Sequence, residues 1–266
     1  VDVREISSKS QQKEEVEKMT SIIHIYPRDF SFLSSFNNAE LLLYHEAIRS
    51  EEYVKFFSNI ANYKILDNSF YELRKEVPYD ELIEVGEQMG VNEIILPDKL
   101  WDGEWTRNAV KDNLRNYYEV YKKNGWKVAA VVQGKDEEDI AQTLDMYIND
   151  DRINVIMVPR KLIKCETYYA GRLKWWLNNY AKVTGKEVHF LGANSWGDFS
   201  LPIKSKIRSM DTKLFAKTIL HQVIGPSATK WQRWDEEIFT DPLQIVKARN
   251  LANYLKSAVY NYYGEV

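Results

Sequence analysis

The sequence predicts an α/β fold of the TIM type, a parallel sheet closed into a (β/α)8 barrel and followed by a helical C-terminal extension. Three observations carry that expectation. Short apolar runs alternate with longer amphipathic stretches. The runs are mostly apolar throughout, as strands buried on both faces are, and helical crossovers between them make the sheet parallel. No run is followed by G-x-G-x-x-G or G-x-x-x-x-G-K-[ST], the glycine patterns of open nucleotide-binding sheets.

The elements follow in chain order. Residues 1 to 18 are charged and polar and read as a flexible or processed leader. Strands are expected at SIIHIY (21 to 26), YKILD (63 to 67), NEIILPD (92 to 98), KVAAVVQ (127 to 133), INVIMV (153 to 158), EVHFLG (187 to 192) and, more weakly, KIRSMD (206 to 211). An eighth is not evident. Helical spacing of Leu, Ile, Tyr and Phe marks 39 to 57, 80 to 89, 105 to 124, 136 to 149, 166 to 183 and 212 to 223, with Asp80, Asp136 and Thr212 as expected caps. The barrel is assigned to residues 19 to 225. A Trp-rich segment (KWQRWDEEIF) and a long helix from Pro242 to Tyr263 form a terminal subdomain, 226 to 266.

The chain of 266 residues is 44% hydrophobic and 28% charged, which excludes disorder and collagen-like structure. A net charge of -3 requires any nucleic acid to be held by a local basic patch. A single cysteine, Cys165, excludes an internal disulfide and any zinc site built on two thiolates, and suits a reducing compartment. No apolar run approaches the ~18 residues of a membrane span, so a soluble, cytoplasmic protein is expected.

Barrel enzymes carry their chemistry at the carboxyl ends of the strands. Here the runs close with Asp67, Asp98, Gln133 and Gly134, Gly192 with Asn194 after it, and Asp211. Any one of these could simply cap a helix or make a turn. Together, two carboxylates across a pocket allow substitution at an anomeric carbon, one attacking while the other moves a proton. A third carboxylate and a carboxamide can read the edge of a purine. The same oxygen-rich set suits Mg2+ or Mn2+, with His24 as a further ligand, so a metal-dependent hydrolase or aldolase is the rival reading.

At these residues the chain resembles the tRNA-guanine transglycosylase family, and within it the phage and bacterial relatives that insert 7-deazaguanines into DNA. ILDNSF (65 to 70) is similar to the family's D-S-G-G-F segment, LPD (96 to 98) to the strand ending in a base-binding Asp, and VVQG (131 to 134) to V-Q-G. HFLG (189 to 192) is similar to Y-L-M-G, and SMDT (209 to 212) stands where the nucleophile is carried. The resemblance implies base exchange without a cofactor, with Asp211 attacking C1′ of a guanosine and Asp67 handling protons. It implies that Asp98 and Gln133 bind the base edge, that Gly134 and Gly192 admit backbone close to it, and that Phe70 or Tyr71 stacks on its face. Core packing is the competing expectation for Phe70 and Tyr71.

Three departures stand out. MVPRK (157 to 161) replaces a Gly-Gly segment, Asn68 and Ser69 replace the second and third residues of D-S-G-G-F, and the family's zinc cluster cannot be built with Cys165 alone. The last points to DNA, with tRNA as the alternative.

Lys204, Lys206, Arg208, Lys213 and Lys217 flank Asp211, and Arg160, Lys161 and Lys164 follow another strand; such groups would contact phosphates. Trp101 and Trp105 could wedge beside an extruded nucleotide or pack in a loop. His45, His189 and His221 read as structural and Cys165 as inert. The expected activity is thus guanine exchange in DNA. Hydrolysis of a modified nucleoside on the same fold, and a non-catalytic nucleic-acid-binding barrel, are the alternatives.

Overall fold

The computed structural model describes residues 21–24, 39–162, 168–193, 207–212 and scattered positions from 218 to 254. Its strands are β1 (Ser21–His24), β2 (Ala39–Leu43), β3 (Tyr63–Asp67), β4 (Glu93–Ile95), β5 (Lys127–Val131), β6 (Val155–Pro159), β7 (Glu187–Ala193) and β8 (Ser209–Thr212). They pair in chain order, each pair parallel, and β8 pairs with β1, so the sheet closes on itself. The β1–β2 seam is the shortest, a single aligned pair of His24 and Glu40. Between the strands lie α1 (Tyr44–Ala47), α2 (Glu51–Ser58), α3 (Phe70–Leu73), α4 (Tyr79–Met89), α5 (Gly103–Lys123), α6 (Glu137–Asn149) and α7 (Tyr168–Asn179). This is an α/β fold with an all-parallel, barrel-like sheet alternating with helices, consistent with a TIM-like barrel.

Alternation along the strands sorts the core into two layers. Ile23, Leu41, Leu43, Ile65, Ile95, Ala129, Val131, Val155 and Met157 form one buried cluster, the barrel interior. The intervening residues, Leu42, Leu66, Ile94, Val128, Ala130, Ile156, Val158 and Phe190 among them, join the apolar faces of the helices in a second. Fully burying one such Leu or Phe contributes about 1.5–3 kcal/mol.

Helix starts are set locally. The side chains of Ser50, Asp102 and Asp136 accept the N–H groups of Tyr53, Trp105 and Asp139, opening α2, α5 and α6. Asp136 is the cap expected. Asp80 is not, because α4 begins one residue before it after Pro78, and Asp80 lies in the first turn, where its charge complements the helix dipole. Thr212 ends β8 with its hydroxyl donating to the carbonyl of Ala193, and the residues it is expected to cap lie outside the described ones.

The missing strand is β2, which occupies the start of the stretch expected to be helical from 39 to 57. All five of its residues are buried and aligned with β3 from Ala39 against Tyr63 to Leu43 against Asp67. Pairing on both sides outweighs the helical preference of Ala, Glu and Leu. The leader and most of the stretches at 212 to 223 and 226 to 266 lie outside the described residues. Among the described residues no helix is long and apolar enough to cross a membrane.

Candidate active site

Asp67, Asp98, Gln133 and Asp211 all stand at carboxyl ends of strands or just beyond them, hence on one face of the barrel. Asp211 is the most firmly held. On β8 its neighbour Ile23 across the β1 pairing points inward, and Asp211 itself is 2% exposed. Its Oδ1 accepts the backbone N–H of Gly192 at 2.8 Å and lies 3.0 Å from His189 Nε2. Gly192 can donate there because β7 bulges between Phe190 and Ala193, and the glycine takes φ of +72°. A Cβ on Gly192 would meet nothing closer than Arg160 Cβ at 3.9 Å, so the dihedral demands glycine and the space does not. Among the described residues Oδ2 of Asp211 accepts no hydrogen bond.

Asp67 is held differently. The N–H of Ser69 donates to its carboxylate, yet burial first, then the charges of Glu72, Asp98 and Asp211, push its pKa well above the ordinary carboxylate range. Ser69 reaches that position in the left-handed conformation, φ 56°, with its Oγ accepting the N–H of His45 and lying 2.9 Å from His45 Nδ1. The Asn68 and Ser69 that depart from the family pattern therefore have specific work: Ser69 supports Asp67, and Asn68 Nδ2 donates to Leu96 O at 2.8 Å and Asp98 Oδ1 at 3.2 Å.

Asp98 and Gln133 form a pair. Gln133 Nε2 donates to Asp98 Oδ2 at 2.8 Å, while Gln133 Oε1 accepts the N–H of Trp101 at 3.1 Å. Burial raises the pKa of Asp98, and the donations from Gln133 and Asn68 only partly offset it. Gln133, 2% exposed, thus orients Asp98 and the loop at Trp101.

Other expected site residues take different roles. Gly134 faces the start of α6: a Cβ there would lie 2.5 Å from Ile140 N and 2.7 Å from Ile140 Cγ1, so helix packing by itself requires glycine here. Phe70 packs on Trp105, ring centroids 5.8 Å apart, and both line a cavity of about 390 Å³ between the α3–α4 segment and α5. Tyr71 is 46% exposed, with Arg74 4.3 Å and Lys161 4.8 Å from its ring centre and Lys161 Nζ donating to its hydroxyl at 2.9 Å. That hydrogen bond leads in lowering the pKa of Tyr71. Trp101 spends both N–H donors on the protein, to Gln133 Oε1 and Lys161 O, which fixes it as a loop brace. Arg160 lies beside the bulge and donates its N–H to Leu191 O.

Arg208 overturns an expectation. It precedes β8, at the end of the barrel opposite Asp211, where its guanidinium donates to Glu93 at 2.7 Å and Glu187 at 2.8 Å. Tyr63 also donates to Glu93, and Lys127 donates to Glu187, closing that end with a polar network. Its two carboxylate partners commit the Arg208 guanidinium to this end of the barrel, away from the rim that carries Asp211. Lys204, Lys206, Lys213, Lys217, Lys164, Cys165, Asn194 and His221 lie outside the described residues, as does the side chain of His24. No group of three His, Cys, Asp or Glu able to hold a metal occurs among the described residues.

The residue that sequence reasoning missed is His189, fully buried and touching Asp211. The signal was present in alternation: Glu187, His189 and Leu191 on β7, and Ser209 and Asp211 on β8, share the inward parity. Ser209, His189 and Asp211 form a continuous chain, with Ser209 Oγ 2.8 Å from His189 Nδ1. It is not a nucleophilic serine triad, since Ser209 is 2% exposed and its Oγ accepts Arg208 Nε from the closed end.

No model of a known protein family matches the chain, and no curated protein matches it.

Proposed function

We propose that the chain is a cofactor-independent glycosyltransferase of the cytoplasm, on a (β/α)8 barrel of the TIM type with a helical C-terminal subdomain, that exchanges guanine in DNA for a 7-deazaguanine base. The observation that carries this reading is the contrast between two carboxyl groups on one rim. Among the described residues Asp211 is anchored through a single oxygen, which leaves the other for attack, while Asp67, its pKa pushed up by burial and neighbouring acids, is suited to carry a proton between bases.

In the first half-reaction Asp211 Oδ2 bonds to C1′ as the C1′–N9 bond breaks. The bonding pair leaves with guanine, which takes the proton of Asp67. In the second, the incoming deazaguanine returns its N9 proton to Asp67, its nitrogen bonds to C1′, and the Asp211 carboxylate departs. Each half conserves a glycosyl bond, so no external energy source is needed. Asp98, held by Gln133 and Asn68, offers a polar edge to the base beside them. Tyr71 with Arg74 and Lys161 offers a cationic rim for a phosphodiester chain. DNA is preferred to tRNA because one cysteine cannot build the zinc cluster of the tRNA enzymes.

The test incubates the protein with duplex DNA or tRNA carrying labelled guanine, plus a free deazaguanine. Release from DNA that requires the incoming base supports the proposal. Release from tRNA alone moves the substrate to RNA, release without an incoming base makes the protein a hydrolase, and no release from any polynucleotide refutes it.

A further inference from the structure

We propose that His189 is a positioning residue that fixes Asp211 as a one-sided nucleophile, its Nε2–H turned onto Asp211 by a hydrogen-bond chain that Ser209 and Arg208 set from the opposite end of the barrel. The inference rests on the reading of Asp211 as the attacking group.

The donors along the chain favour one direction for each hydrogen bond. Arg208 has only donors, so Ser209 Oγ accepts its Nε–H at 3.1 Å. Among the described residues the hydroxyl hydrogen of Ser209 has one acceptor, His189 Nδ1, at 2.8 Å. With Nδ1 accepting, the ring hydrogen sits on Nε2 and donates to Asp211 Oδ1 at 3.0 Å. The N–H of Gly192 donates to the same oxygen at 2.8 Å. Two donors on Oδ1 and, among the described residues, none on Oδ2 present one oxygen to C1′. In the glycosyl ester Oδ1 becomes the carbonyl oxygen and keeps both hydrogen bonds, and they stabilise the carboxylate again when it departs. Arg208, itself held by Glu93 and Glu187, is thereby a remote brace of the site and not a phosphate contact.

Imidazole nitrogen NMR on histidine-labelled protein tests the tautomer without substrate. The expected result is His189 protonated at Nε2 alone, lost or mixed in Ser209→Ala; an Nδ1–H tautomer in the wild type overturns the proposal. Kinetics supply the second arm. His189→Leu should lower kcat for exchange by about 100-fold, the scale of removing one donor from a charge in a water-excluded site, with KM for the polynucleotide unchanged. His189→Gln, which restores an N–H near Nε2, should recover most of the loss. Equal kcat in wild type and a folded His189→Leu overturns the proposal, and so does failure of Gln to rescue it when both variants unfold at the wild-type temperature. If the wild type exchanges no base yet shows the Nε2–H tautomer, the transfer reading fails while the anchoring of Asp211 stands.

Discussion

Asp67 and Asp211 are the same residue type on one rim, and their surroundings ask different things of them. Among the described residues Asp211 has two partners on one oxygen, the N–H of Gly192 and the ring of His189, whereas Asp67 accepts the N–H of Ser69 and is crowded by Glu72, Asp98 and Asp211. An acid whose pKa is raised on folding contributes stability that is complete below its unfolded value and is lost as pH rises through the folded value. Asp67→Asn should therefore be more heat-stable than the wild type at neutral and alkaline pH, and the difference should vanish as both samples are acidified. Thermal unfolding across that range checks it; a variant less stable at every pH would mean that Asp67 is held ionised. Gly192→Ala should cost about 1–2 kcal/mol, the usual penalty of a left-handed dihedral for a residue with a Cβ, and should lower exchange further by shifting the N–H that anchors Asp211. Equilibrium unfolding and the exchange assay read the two effects separately.

At the scale of elements, the turn after β5 shows why a motif and its role can part company. Gly134 belongs to a V-Q-G segment that resembles a base-binding one, but its lack of a side chain is required by the first turn of α6. Gly134→Ala should destabilise the fold by about 1–3 kcal/mol through overpacking against Ile140, measured by chemical denaturation. An alanine variant of unchanged stability would show that the loop has room to move. Most strands were legible because long apolar runs between polar punctuation leave few alternatives. β2 was not: AELLL runs into Tyr44 without a Gly or Pro, and its residues are good helix formers. His189 was missed for a related reason, since a lone histidine in an apolar run looks like core until its register with Asp211 is known. The aspartates at strand ends were legible because strand polarity alone puts them on one rim.

Across the whole molecule the barrel has a chemical rim and a closed end. Of the basic cluster around Asp211 in the sequence, Arg208 lies within the described residues, and charge pattern alone could not tell on which end it falls. Arg208 went to the closed end, where Glu93 is fully buried beneath it. Arg208→Ala should destabilise the protein by about 3–5 kcal/mol by leaving that carboxylate without its guanidinium. The salt dependence of DNA binding should stay as in the wild type. A reduced salt slope with intact stability would instead make Arg208 a phosphate contact.

The central claim is that Asp211 forms a bond to the sugar. The most direct measurement is intact mass of the denatured protein after mixing with a short guanine-containing duplex and a deazaguanine. The account predicts a wild-type species heavier by the mass of the strand lacking one guanine, absent from Asp211→Asn although that variant still binds the duplex, and present at reduced rate in Asp67→Asn. An adduct formed equally well by Asp211→Asn would contradict it.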